Sequence, residues 1–296
     1  MAHDHHDHHV RSLAAEAAKL TLEELHFARQ KVGLCDANGN AVTGFPYPLE
    51  QQPLFYVKAR DKDRLHPEAR TQQFAHDGLE RLPQDGRKGI HVPRILRVVE
   101  YESGGGGFMV MEYVTGRTLK DILAIPHLTY GDAQAYFDKV SKALQLFLAL
   151  PAPADAKPGP CGGGIIRHTF FKDFEAAIEY DSVDMLEKHL NKLATLIHKT
   201  APTLTLERAL HLVYSDMHAA NFLFTDSGDL YVVDFDHAAL LPLSFMTFAL
   251  CFPSMVSMPV ADRIKRDFDL PRANDAVMCC VNGLLGMSVL RIGLPL

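Results

Sequence analysis

Apolar positions along this chain recur at two different periods, and the change between them organises the molecule. Near the N-terminus Leu13, Leu20, Leu22, Leu25 and Phe27 fall at helical spacing, which predicts an amphipathic leading helix over 12–30. Residues 54–59 (Leu-Phe-Tyr-Val-Lys-Ala) read as a short strand. Residues 67–82 read as a helix, with Pro67 suited to its first turn. Two β-rich runs, 94–101 and 108–114, are joined by Ser103 and four glycines, the pattern of a hairpin with a loose tip. After Gly116 helical patterns dominate, at 118–124, 130–150, 171–199 and 206–212, with a Pro/Gly/Ala-rich stretch at 151–164 that reads as a connector. Two short strands then return at 221–225 and 230–235, with Asp226-Ser-Gly-Asp229 as the turn between them, and helices are expected to fill the remainder.

This order predicts an α+β, bilobal fold. A small strand-rich N-lobe over 12–114 passes through a hinge near 112–116 into a larger, mainly helical C-lobe over 115–296. The cleft between lobes is the default ligand site. Residues 1–11 hold a run of histidines and aspartates that reads as a flexible tail. Asp36-Ala-Asn-Gly-Asn40 is a turn signal. Two uncharged stretches invite a membrane reading, 238–261 and 276–290. Pro242, Pro253 and Pro259 cut the first into pieces shorter than a span, and Asn282, Gly283 and Gly286 interrupt the second, so both are expected as buried helices.

Composition narrows the classes. The 296 residues are 47% hydrophobic and 22% charged, ordinary for a globular protein. A net charge of -6 and a pI near 6.2 argue against a nucleic-acid or membrane-surface binder, which needs a basic face. The five cysteines (35, 161, 251, 279 and 280) include no metal-binding CxxC spacing and no disulfide framework, which suits a reducing, cytoplasmic setting.

The chemistry concentrates at Tyr214-Ser-Asp-Met-His-Ala-Ala-Asn221 and Val233-Asp-Phe-Asp236. A loop Asp or Asn is usually explained by turn capping alone. Here Asp216 and Asn221 precede one strand and Asp234 ends the next, so a hairpin would bring Asn221 beside Asp234. Two oxygen ligands so placed suit Mg²⁺, which borrows its remaining ligands from phosphate and water. Asp216 is then free to orient a hydroxyl or amine nucleophile and to accept its proton.

At these residues the chain resembles the protein-kinase-like superfamily, in its aminoglycoside phosphotransferase and choline kinase branch. The segment 214–221 is similar to that branch's catalytic loop, and 233–236 to its metal-binding segment. The resemblance implies Asp216 as catalytic base, Asn221 and Asp234 as Mg²⁺ ligands, and His218 and Asp236 as accessory braces. It extends to Lys58, which ends the triplet Phe55-Tyr-Val as a phosphate-holding lysine would, with Glu68 as its ion-pair partner and Glu80 as the alternative. It also extends to Glu112, Tyr113 and Val114, whose backbone groups would meet adenine. Three departures stand out: no Gly-x-Gly-x-x-Gly precedes Lys58, Tyr214 replaces a histidine, and Ala219 replaces a proline. The implied function is ATP- and Mg²⁺-dependent phosphate transfer to a small hydroxyl-bearing acceptor, possession of an amine being compatible with it. No nucleic-acid or membrane partner is implied. The alternative is a kinase-like pseudoenzyme that binds nucleotide or a protein partner without turnover.

Overall fold

A computed structural model describes residues 12–35, 39, 41–287 and 292–293. The histidine-rich tail over 1–11 and most of the turn over 36–40 lie outside the described residues.

The strands are β1 (Gly44–Tyr47), β2 (Phe55–Asp61), β3 (Ile90–His91), β4 (Ile95–Glu100), β5 (Gly106–Glu112), β6 (Arg117–Thr118), β7 (His211–Tyr214), β8 (Phe222–Phe224), β9 (Leu230–Val232) and β10 (Ala238–Leu241). The helices are α1 (12–19), α2 (Leu22–Val32), α3 (Lys62–Glu80), α4 (Gln84–Arg87), α5 (Leu119–Leu123), α6 (Tyr130–Ala149), α7 (Val183–Ile197), α8 (Leu243–Cys251), α9 (Met258–Ile264) and α10 (Asp275–Met287).

The molecule is bilobal, with a strand-rich N-terminal part and a mainly helical C-terminal part. The first sheet is antiparallel in the order β1-β2-β5-β4. Its central strand β5 is buried from Gly106 to Met111, because both faces are covered. Phe108 and Val110 join Phe55, Val57, Leu25 and Ala28 under α1 and α2, while Met109 and Met111 meet Leu65 and Ala69 of α3 on the other side. Alternation along β2 therefore sends Tyr56, Lys58 and Arg60 to the α3 side. The glycine pair that opens β5 is a steric requirement. A Cβ on Gly106 (φ +138) would lie 2.2 Å from the Arg60 carbonyl, and one on Gly107 would lie 2.1 Å from that of Val99.

Helix α3 starts earlier than its sequence pattern suggests. Asp61 caps it by accepting from the Arg64 N–H at 3.1 Å, which places Pro67 inside the helix rather than in its first turn. Proline cannot bond the carbonyl four residues back. That carbonyl, of Asp63, accepts from the Arg167 guanidinium at 3.4 Å instead. The second half of α3 leaves the small sheet, and Ala75 and Leu79 enter the large core with α6, α7 and α8. The helix that carries Glu68 is thus packed against both lobes.

Several other expectations change. The leading helix is two helices broken before Thr21, whose capping box with Glu24 restarts the chain. The helix expected over 171–199 is confined to α7, after a short 3₁₀ turn at Lys172–Phe174, because Ser182 provides the N-cap only there. Residues 206–212 form no helix: His211 begins β7, which pairs antiparallel with β10, a strand within the stretch read as helical. The 151–164 connector is anchored rather than loose. Arg70 of α3 donates to the Cys161 and Gly163 carbonyls at 2.8 and 3.0 Å, and the Cys161 N–H donates to Thr71 at 3.0 Å. Among the described residues no helix is long and apolar enough to cross a membrane.

Candidate active site

A short antiparallel pair, β8 and β9, sets the site. Its register matches Phe222 with Val232, and the Val233 N–H donates to the Asn221 carbonyl at 3.0 Å. Asn221 at the entry of β8 and Asp234 just beyond β9 therefore arrive side by side. Asp234 has a left-handed backbone (φ +63), uncommon for a residue with a Cβ. The preceding backbone is tied from below, since the buried Tyr214 hydroxyl donates to the Val233 carbonyl at 2.6 Å. The next turn is tied as well: the Ser215 N–H and hydroxyl both donate to the His237 carbonyl, at 3.2 and 2.9 Å.

Asp216 directly follows those two anchoring residues. Asn221 Nδ2 donates to its carbonyl and to its Oδ2, both at 3.0 Å. His218 caps the tight turn Ala219–Asn221 by accepting from the Ala220 N–H at 3.3 Å. Tyr214, at the position where the resembled loop has a histidine, is fully buried and packs edge-on against Phe235 with ring centroids 5.4 Å apart. The substitution thus supplies both core volume and a hydrogen bond to the Asp234 loop.

From the other lobe, Lys58 Nζ donates to Glu68 Oε1 at 2.6 Å and lies 3.0 Å from Asp234 Oδ1. Glu68 is the lysine's partner. Glu80 lies at the far end of α3 and pairs with Arg87. Burial acts to lower the Lys58 pKa, but Asp234 and Glu68 hold it above the ordinary value. Burial acts to raise the Asp234 carboxyl, and Lys58 and Arg60 outweigh it, holding the group down at about 2. Asp236 goes the other way: burial lifts its carboxyl above the usual range, and Arg64 and Arg167 approach it only at 3.5 and 3.8 Å.

These groups open onto a cavity of about 380 Å³ between the lobes. Lys58, Asn221 and Asp234 line one end. Glu112, Tyr113 and Val114 line the other, together with apolar atoms of Tyr56, Met111 and Leu223. The Glu112 and Tyr113 N–H groups are already engaged, with the Arg94 and Leu54 carbonyls at 3.1 and 3.2 Å. Asp216 and Glu68 stand behind the wall, touching it through Asn221 and Lys58. The sequence reading did not include Arg60, whose Nε donates to Glu68 Oε2 at 2.6 Å. Its two-residue spacing from Lys58 on a strand was the available signal.

The donor set fits a small hard cation. Asp234 supplies an ionised carboxylate, and Asn221, with both amide hydrogens committed to Asp216, keeps its Oδ1 as an acceptor. Among the described residues no three His, Cys, Asp or Glu side chains cluster as a metal site. A cation held here would draw its other ligands from phosphate and water.

The phosphotransferase enzyme family (APH) matches residues 55–245, well over half the chain. No curated protein matches. Among solved structures, a thermostable mutant of aminoglycoside phosphotransferase APH(4)-Ia is 15% identical, over 84% of this chain and 87% of its own, with a TM-score of 0.46. The AMP-bound spectinomycin phosphotransferase APH(9)-Ia is 13% identical over 78% and 76%, with a TM-score of 0.42. The gentamicin complex of APH(2″)-IIa is 15% identical over 78% and 75%, with a TM-score of 0.43. On the strength of the family match across both the lysine strand and the Asp216–Asp234 segment, this chain belongs to the phosphotransferase enzyme family.

Proposed function

We propose that the protein transfers the γ-phosphoryl group of ATP to the hydroxyl of a small acceptor. One observation supports this above the others. Two runs of polar contacts, Glu68–Lys58–Asp234 and Asn221–Asp216, are brought together by the β8–β9 pairing at one wall of a single cleft, which Lys58, Asn221 and Asp234 line. Phosphoryl transfer asks for this kind of arrangement, because positioning and charge neutralisation supply most of the catalysis.

In this reading the purine lies between Met111 and Leu223, against the backbone of Glu112–Val114. The Val114 amide provides the donor, since those of Glu112 and Tyr113 are engaged. Lys58, held by Glu68, meets the phosphates. Asn221 Oδ1 and the Asp234 carboxylate hold Mg²⁺, which supplies positive charge to the phosphate oxygens. Asp216, oriented by Asn221, accepts the acceptor's hydroxyl proton as its oxygen bonds phosphorus and the bond to the β-phosphate oxygen breaks. His218 and Asp236 brace the two loops. A cytoplasmic location, where ATP is available, belongs to the same reading.

The test is a screen of small alcohols and amino alcohols as phosphate acceptors, run with the purified protein and with Asp216→Asn. Transfer by the parent, lost in the variant while Mg-ATP binding persists, is expected. Nucleotide binding with no transfer to any acceptor favours the pseudoenzyme. Transfer that survives Asp216→Asn removes the base assignment.

A further inference from the structure

Strand β2 carries two cations on one face. Lys58 and Arg60 are two residues apart, so both side chains leave the sheet toward α3. Each donates to a different oxygen of Glu68, Lys58 Nζ to Oε1 and Arg60 Nε to Oε2, both at 2.6 Å. Both also approach Asp234 Oδ1, Lys58 at 3.0 Å and Arg60 Nη2 at 3.5 Å. The two cationic side chains keep 7% and 8% of their exposure and Glu68 none. Two positive and two negative groups whose formal charges cancel thus meet at one site, three of them nearly dry and Asp234, 32% exposed, facing the cleft.

A lysine alone would serve this site poorly when a polyphosphate arrives. Turning its ammonium toward phosphate oxygens would leave Glu68, which has no exposure, as a buried carboxylate short of a cation, which is costly, and would take one cation from Asp234. A guanidinium can hold two carboxylates at once through a rigid, planar fork. The stretch ahead of Lys58 also lacks Gly-x-Gly-x-x-Gly, so fewer backbone amides are available there to neutralise phosphate.

We infer that Arg60 is a positioning residue for polyphosphate. It keeps Glu68 and Asp234 in place while Lys58 turns to the phosphates, and it raises the charge at that end of the cleft by one. The inference rests on the nucleotide-kinase reading above. Its signature is dependence on the phosphates alone, because Arg60 is remote from the Glu112–Val114 end of the cavity and is not among the residues that line it.

Calorimetric titration of the parent, Arg60→Gln, Arg60→Met and Arg60→Lys with adenosine, metal-free ATP and Mg-ATP tests it. Arg60→Met keeps an apolar stem in the packed site if the amide is poorly tolerated. Both neutral variants are expected to bind ATP about tenfold or more weakly, with and without Mg²⁺, and adenosine within roughly twofold of the parent. Arg60→Lys is expected to recover most of the lost ATP affinity. Neutral variants that bind ATP like the parent, or that lose ATP and adenosine by the same factor, would overturn the Arg60 assignment and leave the kinase reading standing. A parent protein that binds no ATP would overturn both.

Discussion

Asn221 fixes Asp216 twice, by donating from one side-chain amide to both the backbone carbonyl and the carboxylate of that residue at 3.0 Å. Since an amide has two hydrogens, none is left over, and the remaining Oδ1 is an acceptor at the edge of the cleft. One residue thereby links the proposed base to the proposed metal position.

Asn221→Ala removes this link without touching the Asp216 carboxylate. Phosphate transfer in single turnover should fall by about 100-fold or more, the range typical of losing a positioned acid or base. Nucleotide affinity in the absence of Mg²⁺ should change little. An unaltered transfer rate would separate Asn221 from the chemistry.

Glu68 bridges two buried cations and is itself fully buried. Glu68→Ala leaves Lys58 and Arg60 facing each other with only Asp234 between them, so the unfolding free energy in urea should drop by about 3–5 kcal/mol. The exposed pair Lys157–Asp181, at 2.7 Å, provides the contrast: Lys157→Ala should leave the midpoint unchanged. Equal effects from the two substitutions would contradict the burial argument.

Two pH windows should be separable. His168 is fully buried and its Nδ1 accepts from the Phe170 N–H at 3.0 Å, so the ring must be neutral there. Burial, helped by the nearby His237, holds its pKa down at about 3 against an ordinary 6.5. The unfolded chain takes up that proton first, so stability is complete above pH 6.5 and declines at about 1.4 kcal/mol per pH unit below it. His168→Gln should flatten the slope between pH 6.5 and 5. Asp234, held at about 2 against 3.8, stabilises fully above about pH 4 by roughly 2 kcal/mol, and this is lost as the pH falls toward 2. Urea titrations of His168→Gln and Asp234→Asn across the two ranges read the difference, and a slope that neither substitution alters would refute the assignments.

Arg70 should control how firmly α3 sits. Its two bonds to the 161–163 backbone leave no room for a side chain at Gly162, where a Cβ would lie 2.7 Å from the guanidinium. Arg70→Ala should cost about 1–3 kcal/mol and speed hydrogen exchange of the Cys161 amide. Protection of that amide at the parent level would show that Thr71 alone holds the segment.

The parts legible in the sequence were those set by near neighbours. The β8–β9 hairpin follows from two short apolar runs around Asp226-Ser-Gly-Asp229, and pairing them necessarily brings Asn221 toward Asp234. Lys58 was visible because it follows the β-rich triplet Phe55-Tyr-Val, and Glu68 because the following helix pattern contains it. The errors arose where distant partners decide. Residues 211–214 and 238–241 are apolar enough for helix or strand, and pairing between β7 and β10 selects strand. Pro67 read as a helix start because nothing nearby in sequence shows that Arg167 will take the carbonyl it strands.

By itself, then, the sequence determined the two lobes, the β8–β9 hairpin and the turn residues around Asp216, because local periodicity and turn chemistry specify them. Only the tertiary structure placed Arg60 in the Lys58–Glu68–Asp234 group, anchored the 161–167 segment on α3, and engaged the amides of Glu112 and Tyr113. Each of these depends on charge or hydrogen-bond pairing between segments far apart in the chain. Such pairing becomes strong only once packing has excluded water, and no local pattern records it.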